Sequence, residues 1–310
     1  DAVTAYIDNG IGAVAENGTI AVTPDHTTAY TITVTGPTGS NSSQAVIMVL
    51  GNPAPQPEGS YGKQYEDLIP PDSTLPEYDP NRFALVTGLI QTITGTSLPN
   101  VSVTIHGHPE YGTALSDSEG RFSLPVEGGG AIILVYQKEG FIPVHRIVHA
   151  PWNDIVIAET IEMLAEDPAS TTFTFDGNPE TVVTHKSTEV TDGFGARSST
   201  MVFTGDNQAY LVDEEGNDVH QLTTISVRAT EYQTPESMPA VLPPNTAYTY
   251  CTELSVDGTQ RVRFEKPVTT WVDNFPGFDI GSIVPAGYYD RDSGLWVPSE
   301  NGVVVKLIDS

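Results

Sequence analysis

The stretch "VSVTIHGHPEYGTALSDSEGRFSLPVEGGGAIILVYQ" (residues 101–137) indicates the fold class, because apolar residues recur in three short runs bounded by turn-forming residues. The runs are "VSVTIHG" (101–107), "RFSLPV" (121–126) and "AIILVYQ" (131–137), and each has the length of one β-strand. The first two flank "DSEG" (117–120), whose Asp and Gly favour turn backbone angles. The stretch therefore predicts three strands, with a hairpin turn at 117–120.

Similar short runs lie on both sides of this stretch. Upstream, "YTITVTG" (30–36) and "QAVIMVL" (44–50) predict a hairpin joined by "PTGSNSS" (37–43). The best helix candidate, "DIVIAETIEML" (154–164), also alternates, and its β-branched residues favour a strand. Further strands are predicted in the C-terminal part: "STMVFTG" (199–205), "TISVRATEY" (224–232), "YTYCTELSV" (248–256) and "RVRFEKPVTTWV" (261–272). The chain is predicted to be all-β.

Charge and cysteine content exclude several classes of function. The 310 residues include 40 acids and 13 bases, a formal net charge of −27, without the basic face that a nucleic-acid partner requires. Such a surface repels anionic membranes and attracts divalent cations. A single cysteine, Cys251, excludes an internal disulfide and a cysteine-based zinc cluster. No apolar run approaches the roughly 20 residues of a membrane span, so no membrane span is predicted.

Residues 51–80 separate two parts of the chain. This segment contains seven prolines and no alternation. Because proline fixes φ and cannot donate to a β-ladder, the segment is predicted to be an extended linker or a strap along a neighbour. The predicted modules are then 1–50, 81–165 and 166–310. The opening "DAVTAYIDNGIG" has neither an initiator Met nor a charged leader, so we expect it to be the start of a fragment.

Four histidines of the middle module form one metal-site hypothesis. His106 and His108 are two apart on a predicted strand and would share a face, as would His145 and His149 on a later strand. Converging imidazoles bind zinc. No cysteine or paired carboxylate stands at ligand spacing, so surface or packing roles are the favoured interpretation, and no metal or other cofactor is predicted.

Acidic turns form a second hypothesis. "DRDSG" (290–294) has the Asp-x-Asp-x-Gly opening of a calcium loop, which makes Asp290 and Asp292 the weak candidates for calcium. The twelfth loop position would be Asn301, which lacks the bidentate carboxylate, so a plain Asp-rich turn is favoured. "DEEGND" (213–218) is predicted to be a hairpin turn in the same way.

Catalysis by Asp290, Asp292 and Glu300 is a minority hypothesis. A glycosidase needs two carboxyls facing each other across a sugar, roughly 5–9.5 Å apart, one of them desolvated. The sequence contains no nucleophile elbow, phosphate loop or zinc-protease helix. No catalytic residue is therefore predicted.

Aromatic residues dominate the segment from Trp271 onward. In "WVDNFPGFDIGSIVPAGYYDRDSGLWVP" (271–298), large apolar side chains alternate with glycines and prolines that prevent a long regular strand. Such a segment needs another surface to bury its side chains, either the sheet of its own module or a partner. The predicted contact residues are Trp271, Phe275, Phe278, Tyr288, Tyr289 and Trp296.

Several motifs resemble known families. "IDNGIGAVAENGTIAVTPDHTTAYTITVTGPTGS" (7–40) resembles the late strands of a bacterial immunoglobulin-like domain. "VTGLIQTITGTSLPNVSVTIHG", "GTALSDSEGRFSLPVEGGG" and "VYQKEGFIPVHR" resemble a carboxypeptidase regulatory-like domain of the transthyretin type. "ISVRATEY", "MPAVLPPNTAYTYCTELSVDG" and "FEKPVTTWVDNFPGFDIGSIVPAGYYDRDSGLWVPSENG" are similar to the region before the repeats of bacterial RHS/YD-repeat proteins, with teneurin-like module order.

The resemblance implies tandem immunoglobulin-like and transthyretin-like β-sandwiches followed by a fibronectin-type plug domain. It also implies an extracellular or cell-surface, non-enzymatic scaffold, whose segment at about 268–302 plugs a shell built by YD repeats. No YD repeats follow Ser310, so that shell is expected on a removed part of the chain or on another chain. The alternative hypothesis is an adhesion or carbohydrate-binding module, with glycans or other cell-surface proteins as partners.

Overall fold

The alternating stretches form β-strands throughout the computed structural model, which describes residues 4–15, 18–22, 28–36, 39–47, 53–213, 216–244, 249–259 and 261–308. Within these ranges the regular elements are strands and short 3-10 helices, without an α-helix. The all-β prediction is confirmed. The candidate helix at 154–164 instead contains two strands, as its β-branched residues favoured.

The first module contributes a single antiparallel sheet in the order β2-β1-β3-β4. Of its described side chains, only Ala5 is buried. The predicted turn at 37–43 was too long, because strand pairing extends to Gly36 and Gly39, while residues 37–38 and 48–50 lie outside the described ranges. Serine and asparagine suggest a turn by composition, yet their backbones pair normally in a ladder. The strands are β1 (Thr4–Ile7), β2 (Gly12–Val14), β3 (Thr28–Gly36) and β4 (Gly39–Ile47).

Residues 53–80 lie along the middle sandwich as a strap, with one 3-10 helix at Gly62–Leu68. Tyr78 is fully buried, and its hydroxyl donates to the carbonyl of Pro125 over 3.4 Å. Gln56 donates from Nε2 to the carbonyl of Tyr78 over 3.1 Å. The amides of Thr74 and Leu75 both donate to the carbonyl of Glu110. The strap therefore belongs to the packing of the middle sandwich.

The middle sandwich consists of two sheets that enclose one apolar core. One sheet has the order β10-β9-β6-β7; in the other, β5 pairs with antiparallel β8 and with parallel β11 and β12. Val86, Leu124, Leu134, Tyr136 and Ile161 fill the space between the sheets. The strands are β5 (Phe83–Thr92), β6 (Ser102–Ile105), β7 (Ala114–Leu115), β8 (Arg121–Glu127), β9 (Gly130–Gln137), β10 (Val144–Ala150), β11 (Ile155–Ile157) and β12 (Ile161–Met163), with a 3-10 helix at Pro109–Tyr111.

The turn at 117–120 connects the two sheets of this sandwich, so the hairpin predicted there is wrong. It joins β7 in one sheet to β8 in the other. Asp117 accepts hydrogen bonds from the amides of Glu119 and Arg121, and Gly120 adopts φ +78°. The turn itself is as predicted. The pairing of β8 with β5, and not the turn sequence, places β8 in the other sheet.

The third module has a second apolar core between three-stranded sheets. The sheet orders are β13-β20-β21, β14-β17-β23 and β19-β18-β22, around Phe173, Met201, Phe203, Ile225 and Val227. "DEEGND" connects antiparallel β18 and β19, although residues 214–215 lie outside the described ranges. The strands are β13 (Thr171–Thr174), β14 (Val182–Lys186), β15 (Val190–Asp192), β16 (Gly195–Arg197), β17 (Ser199–Thr204), β18 (Ala209–Val212), β19 (Asp218–Leu222), β20 (Thr224–Glu231), β21 (Thr252–Val256), β22 (Val262–Phe264) and β23 (Thr269–Val272), with a 3-10 helix at Pro235–Ser237.

Residues 283–303 form two nested antiparallel ladders, here called the tongue. The outer ladder pairs β24 with β27, and the inner ladder pairs β25 with β26. The four strands of the tongue are β24 (Ile283–Val284), β25 (Gly287–Asp290), β26 (Leu295–Pro298) and β27 (Gly302–Val303).

Candidate interaction site at the junction of the two sandwiches

The tongue packs onto the junction between the middle sandwich and the third module. Tyr289 and Trp296 are cross-strand partners with ring centroids 5.5 Å apart. The Tyr289 hydroxyl lies 3.0 Å from Nδ1 of His145, and Nε1 of Trp296 donates to the carbonyl of Val241 over 3.0 Å. One face of the tongue is therefore fixed to both modules.

Arg291, at the tip of the tongue, forms the charged part of this contact. Its guanidinium makes two hydrogen bonds to the carboxylate of Glu253, of 2.9 and 3.0 Å. Glu253 also accepts a bond of 2.7 Å from the Tyr232 hydroxyl. The carbonyl of Arg291 lies 2.9 Å from Nε2 of His106. Burial acts to lower the pKa of Arg291, but the Glu253 carboxylate outweighs it and raises the pKa above its ordinary value.

Asp290 organises the turn at the tip of the tongue. Its carboxylate accepts hydrogen bonds from the Asp292 amide (3.0 Å) and the Ser293 hydroxyl (2.7 Å). The Ser293 hydroxyl, followed by the Asp292 amide, holds the pKa of Asp290 below its usual range. Asp292 pairs with Arg261. "DRDSG" is thus a hairpin turn, and among the described residues no three His, Cys, Asp or Glu side chains are grouped to hold a metal ion.

The acids of the tongue do not meet the requirement of the glycosidase hypothesis. Asp292 and Glu300 are exposed, and the pKa of Asp290 is lowered rather than raised. A general acid at neutral pH needs a carboxyl whose pKa is raised by desolvation. None of the three residues is in such an environment.

The four histidines of the middle module do not converge. His106 and His145 are neighbours, with ring centroids 5.6 Å apart, but His108 instead contacts Glu110. The prediction that His106 and His108 lie on one strand was wrong, because β6 ends at Ile105 and Gly107 turns the chain with φ +73°. His149 lies on the same strand as His145 but is exposed.

His145 is a strongly perturbed titratable group at the junction. Its side chain is buried beneath the tongue, and burial lowers its pKa to about 4, with further contributions from Arg291, His106 and Arg146. The Tyr289 ring stands edge-on to it, at 5.4 Å between centroids. A neutral imidazole therefore forms part of the contact over the ordinary pH range.

Arg146, which sequence reasoning did not single out, joins the two modules from the other side of β10. Its buried guanidinium donates to the carbonyls of Glu236 (2.6 Å) and Met238 (3.1 Å), and it forms an ion pair with Glu159 (2.7 Å). The adjacent apolar cluster consists of Ile142, Leu164, Tyr232 and Met238. The sequence signal is weak: one arginine between two histidines in the strand-like run "PVHRIVHA" (143–150).

The predicted contact residues divide into two groups. Tyr289 and Trp296 face the junction, Trp271 lies in β23 opposite Thr200, and Phe275 lies under the guanidinium of Arg197 at 4.7 Å. Phe278 and Tyr288 are exposed at 42% and 54%. Only part of the predicted surface is thus buried within the described chain.

An exposed apolar surface, here called the outer row, extends along and beside the tongue. Its members are large apolar side chains of the last part of the chain, each more than one third exposed: Phe278, Ile280, Ile283, Tyr288, Leu295, Val303, Val305, Leu307 and Ile308. Tyr288 and Leu295 point away from the Tyr289–Trp296 face, because side chains alternate along a strand. Ile283 and Val303 are cross-strand partners.

An open groove of about 530 Å³ borders the junction. It runs between β10, β11, residues 240–241 and the inner ladder of the tongue. Its lining includes His145, Ile147, His149, Ile157, Val241 and Trp296. The groove is therefore lined mainly by apolar side chains, together with two imidazoles and the Arg146–Glu159 ion pair.

The middle sandwich is similar to a domain of known proteins. Residues 78–163 match the family model described as "Teneurin TTR-like domain". Human teneurin-1 is 32% identical over 111 residues, mouse teneurin-3 is 31% identical over 123, and Drosophila melanogaster teneurin-m is 36% identical over 89. These alignments cover 35%, 38% and 29% of this chain, and 4%, 4% and 3% of the relatives. The teneurin-like resemblance is confirmed for this module, and the bacterial RHS/YD-repeat context stays a prediction.

Solved structures add little to this comparison. A streptococcal ancillary pilin overlaps 75% of this chain and 72% of its own, with 9% identity and a TM-score of 0.25. The Bacillus anthracis TIE protein gives the same TM-score with 8% identity, over 82% of this chain and 46% of its own. Similarity at this level supports no conclusion about the fold or the function of this chain. Within the described residues, no helix is long and apolar enough to cross a membrane.

Proposed function

We propose that this chain is a non-enzymatic scaffold segment of a teneurin-like, extracellular or cell-surface protein, whose tongue docks through the outer row into a shell built of YD repeats. The observation that carries the proposal is the tongue itself: one face is fixed within the chain while the other presents large apolar side chains to solvent. Large exposed apolar side chains concentrated in one segment favour an interaction site.

The fixed face makes the outer row suitable for docking. Tyr289, Arg291 and Trp296 hold the tongue against His145, Glu253 and Val241. Because these contacts order the hairpin in advance, a partner need not supply the free energy of ordering it. Burying each large apolar side chain fully then contributes roughly 1.5–3 kcal/mol.

The comparisons support the scaffold assignment. The sandwich beside the tongue matches a teneurin domain, and its relatives are teneurins from human, mouse and fly. Of the three acids in the catalytic hypothesis, Asp292 and Glu300 are exposed, and Asp290 accepts hydrogen bonds within a turn. Because of the similarity to teneurins, the proposal includes a location outside the cell or on its surface.

Co-purification tests the proposal. The chain is co-expressed with a YD-repeat region of a teneurin-like protein, and retention of the repeats on the tagged chain is measured. The double variant Ile283→Asp/Leu295→Asp, in the outer row, should abolish retention. Ile157→Asp, a similarly exposed isoleucine of the middle sandwich, is the matched control and should retain the repeats. Equal retention by both variants, with unchanged unfolding temperatures, contradicts docking through the outer row.

A second candidate is binding of a glycan at the cell surface. Tyr288 is 54% exposed on the outer face of the tongue, where its ring is accessible for stacking on a sugar. Tyr289 and Trp296, by contrast, are packed against the junction. Glycan-array binding that disappears in Tyr288→Ala supports this function, whereas identical array signals for the two proteins argue against it.

A further inference from the structure

The outer edge of β10 has backbone groups that none of the described strands pairs with. β10 pairs with β9 on one side only. The amide of His145 donates away from β9, to the carbonyl of Pro239 over 2.7 Å. Because backbone groups alternate in direction along a strand, the N–H and C=O groups of Ile147 and His149 point the same way. Within the part of the chain that the structure describes, those four groups have no hydrogen-bond partner.

Two other edges of the middle sandwich, at β7 and β8, are better protected. β7, at the opposite end of the same sheet, has two residues. β8 carries Pro125, which cannot donate, and the strap covers it through Tyr78 and Asp79. β10 has seven residues, no proline, and a side chain at its centre, Ile147, that is 64% exposed. Among the described strands of this sandwich, β10 therefore has a long edge without these protections.

The groove described above lies beside this edge and provides room for a further strand. Two of its lining side chains are large, apolar and mostly exposed: Ile157 of β11 at 79% and Val241 at 68%. Trp296 of the tongue and the Arg146–Glu159 ion pair also line the groove. A mainly apolar lining suits an extended chain, whose side chains point alternately in opposite directions.

We propose that this groove binds an extended peptide segment of a partner protein, which adds to the sheet as a fifth strand along β10. Residues 238–239 already occupy the beginning of the same edge, so the incoming segment continues an interface that the chain itself starts. Backbone hydrogen bonds to Ile147 and His149 provide affinity, and alternate apolar side chains provide selectivity. The net charge of −27 favours a segment without negative charge.

Peptide binding tests the inference on the intact chain. The probe is a labelled octapeptide in which valine and threonine alternate between two terminal lysines. The comparison peptide carries N-methyl groups on its valine and threonine amides, which keeps the side chains and removes the donors. We expect binding of the first peptide alone, measured by fluorescence anisotropy, and slower hydrogen exchange at the amides of Ile147 and His149. Equal binding of both peptides, or unchanged exchange at both amides, overturns the inference.

Two variants at one position separate the backbone contribution from the side chain. Ile147→Pro removes an outward N–H without removing a bond to β9, and should weaken binding at least about tenfold. Ile147→Val keeps that donor and should bind within about twofold. Unfolding temperatures show whether each variant is folded. The exchange measurement on the unaltered protein tests strand addition without relying on either variant. Concentration-dependent dimerisation that Ile147→Pro abolishes overturns the inference in favour of a second copy.

Discussion

The Nδ1 atom of His145 and the hydroxyl of Tyr289 lie 3.0 Å apart although 144 residues separate them in the chain. The hydrogen bond links the edge of the middle sandwich to the inner ladder of the tongue. His145 is 4% exposed, so this contact is made away from solvent. The tongue is therefore part of the junction, and its stability should depend on the charge of one imidazole.

Acidification should weaken the fold through His145. Its pKa is about 4 in the folded chain against 6.5 for an unperturbed histidine. Above pH 6.5 the group is neutral in both states and contributes nothing. Between 6.5 and 4 the unfolded chain binds a proton that the folded chain does not, so stability falls with pH, by about 3 kcal/mol when the effect is complete. Chemical denaturation across this range measures the decline.

His145→Gln isolates this contribution from the other titrating groups. The variant keeps a polar group facing the Tyr289 hydroxyl but cannot titrate. The difference in unfolding free energy between the two proteins should be constant above pH 6.5 and should shift in favour of the variant below it. Parallel pH profiles from pH 7 to 4 would assign the decline to other groups.

Trp296 should hold the tongue on the junction. Trp296→Ala removes the ring that packs against the Met238 cluster and the bond to Val241, and should cost roughly 1–3 kcal/mol, less than for a fully buried tryptophan. Trp296→Phe keeps an aromatic ring and should cost only about 1 kcal/mol for the lost hydrogen bond. Trypsin cleavage after Arg291 reports detachment, and equal cleavage rates in all three proteins would disprove this role.

The Arg291–Glu253 pair should matter far more than the surface pairs. Arg291→Gln leaves the mostly buried Glu253 carboxylate without its cation and should destabilise the chain by roughly 2–3 kcal/mol. Arg291→Lys keeps the charge but loses the two-point geometry, so its cost should be intermediate. Arg121→Gln breaks an exposed pair with Glu119 and should cost at most about 0.5 kcal/mol. Urea denaturation that gives equal values for the two glutamine variants contradicts the prediction.

The turn that connects the sheets of the middle sandwich should not tolerate a side chain at Gly120. A Cβ there would lie 2.2 Å from the carbonyl oxygen of Ile90, and the residue has φ +78°. Gly95 has φ +82° with open space around it, so Gly95→Ala should cost about 1 kcal/mol for backbone strain alone. Gly120→Ala should cost clearly more, because the backbone must also move. Thermal unfolding compares them, and equal losses would show that the contact relaxes freely.

The strap should be an integral part of the middle sandwich. Tyr78→Ala leaves a cavity under the strap and should cost roughly 3 kcal/mol or more. Leu68→Ala, at an exposed position of the same strap, should cost less than about 1 kcal/mol. Differential scanning calorimetry provides both values. A small loss for Tyr78→Ala would mean that the strap is only loosely attached.

Local chemistry was predictable from the sequence wherever neighbouring residues are sufficient to specify it. The alternation at 121–126 marks β8, since a period of two is a property of the strand itself, and the short apolar run at 131–137 marks β9. Asp290 and Gly294 mark the turn between β25 and β26, because they favour its backbone angles. The β-branched residues at 155–163 correctly favoured strands over a helix.

Long-range pairing was not predictable in this way. Nothing within "DSEG" specifies that the next strand joins the opposite sheet, because that depends on the position of β5. Likewise, the aromatic content of the tongue indicates that it needs a surface but not which surface. Tyr289 contacts His145, and Trp296 contacts Val241, because segments far apart in the chain pack together. Arg146 was missed because its partners are carbonyls from another module.

The position of the tongue late in the chain has a consequence for biosynthesis. Tyr289 is synthesised 144 residues after His145. At cellular translation rates this delay is roughly 7–30 s. During that interval Ile142, Leu164 and the edge of β10 emerge without the segment that later covers part of them. The nascent chain thus passes through a stage in which apolar surface and an unpaired strand edge are exposed. At this stage it is most prone to aggregate and a chaperone would have its largest effect.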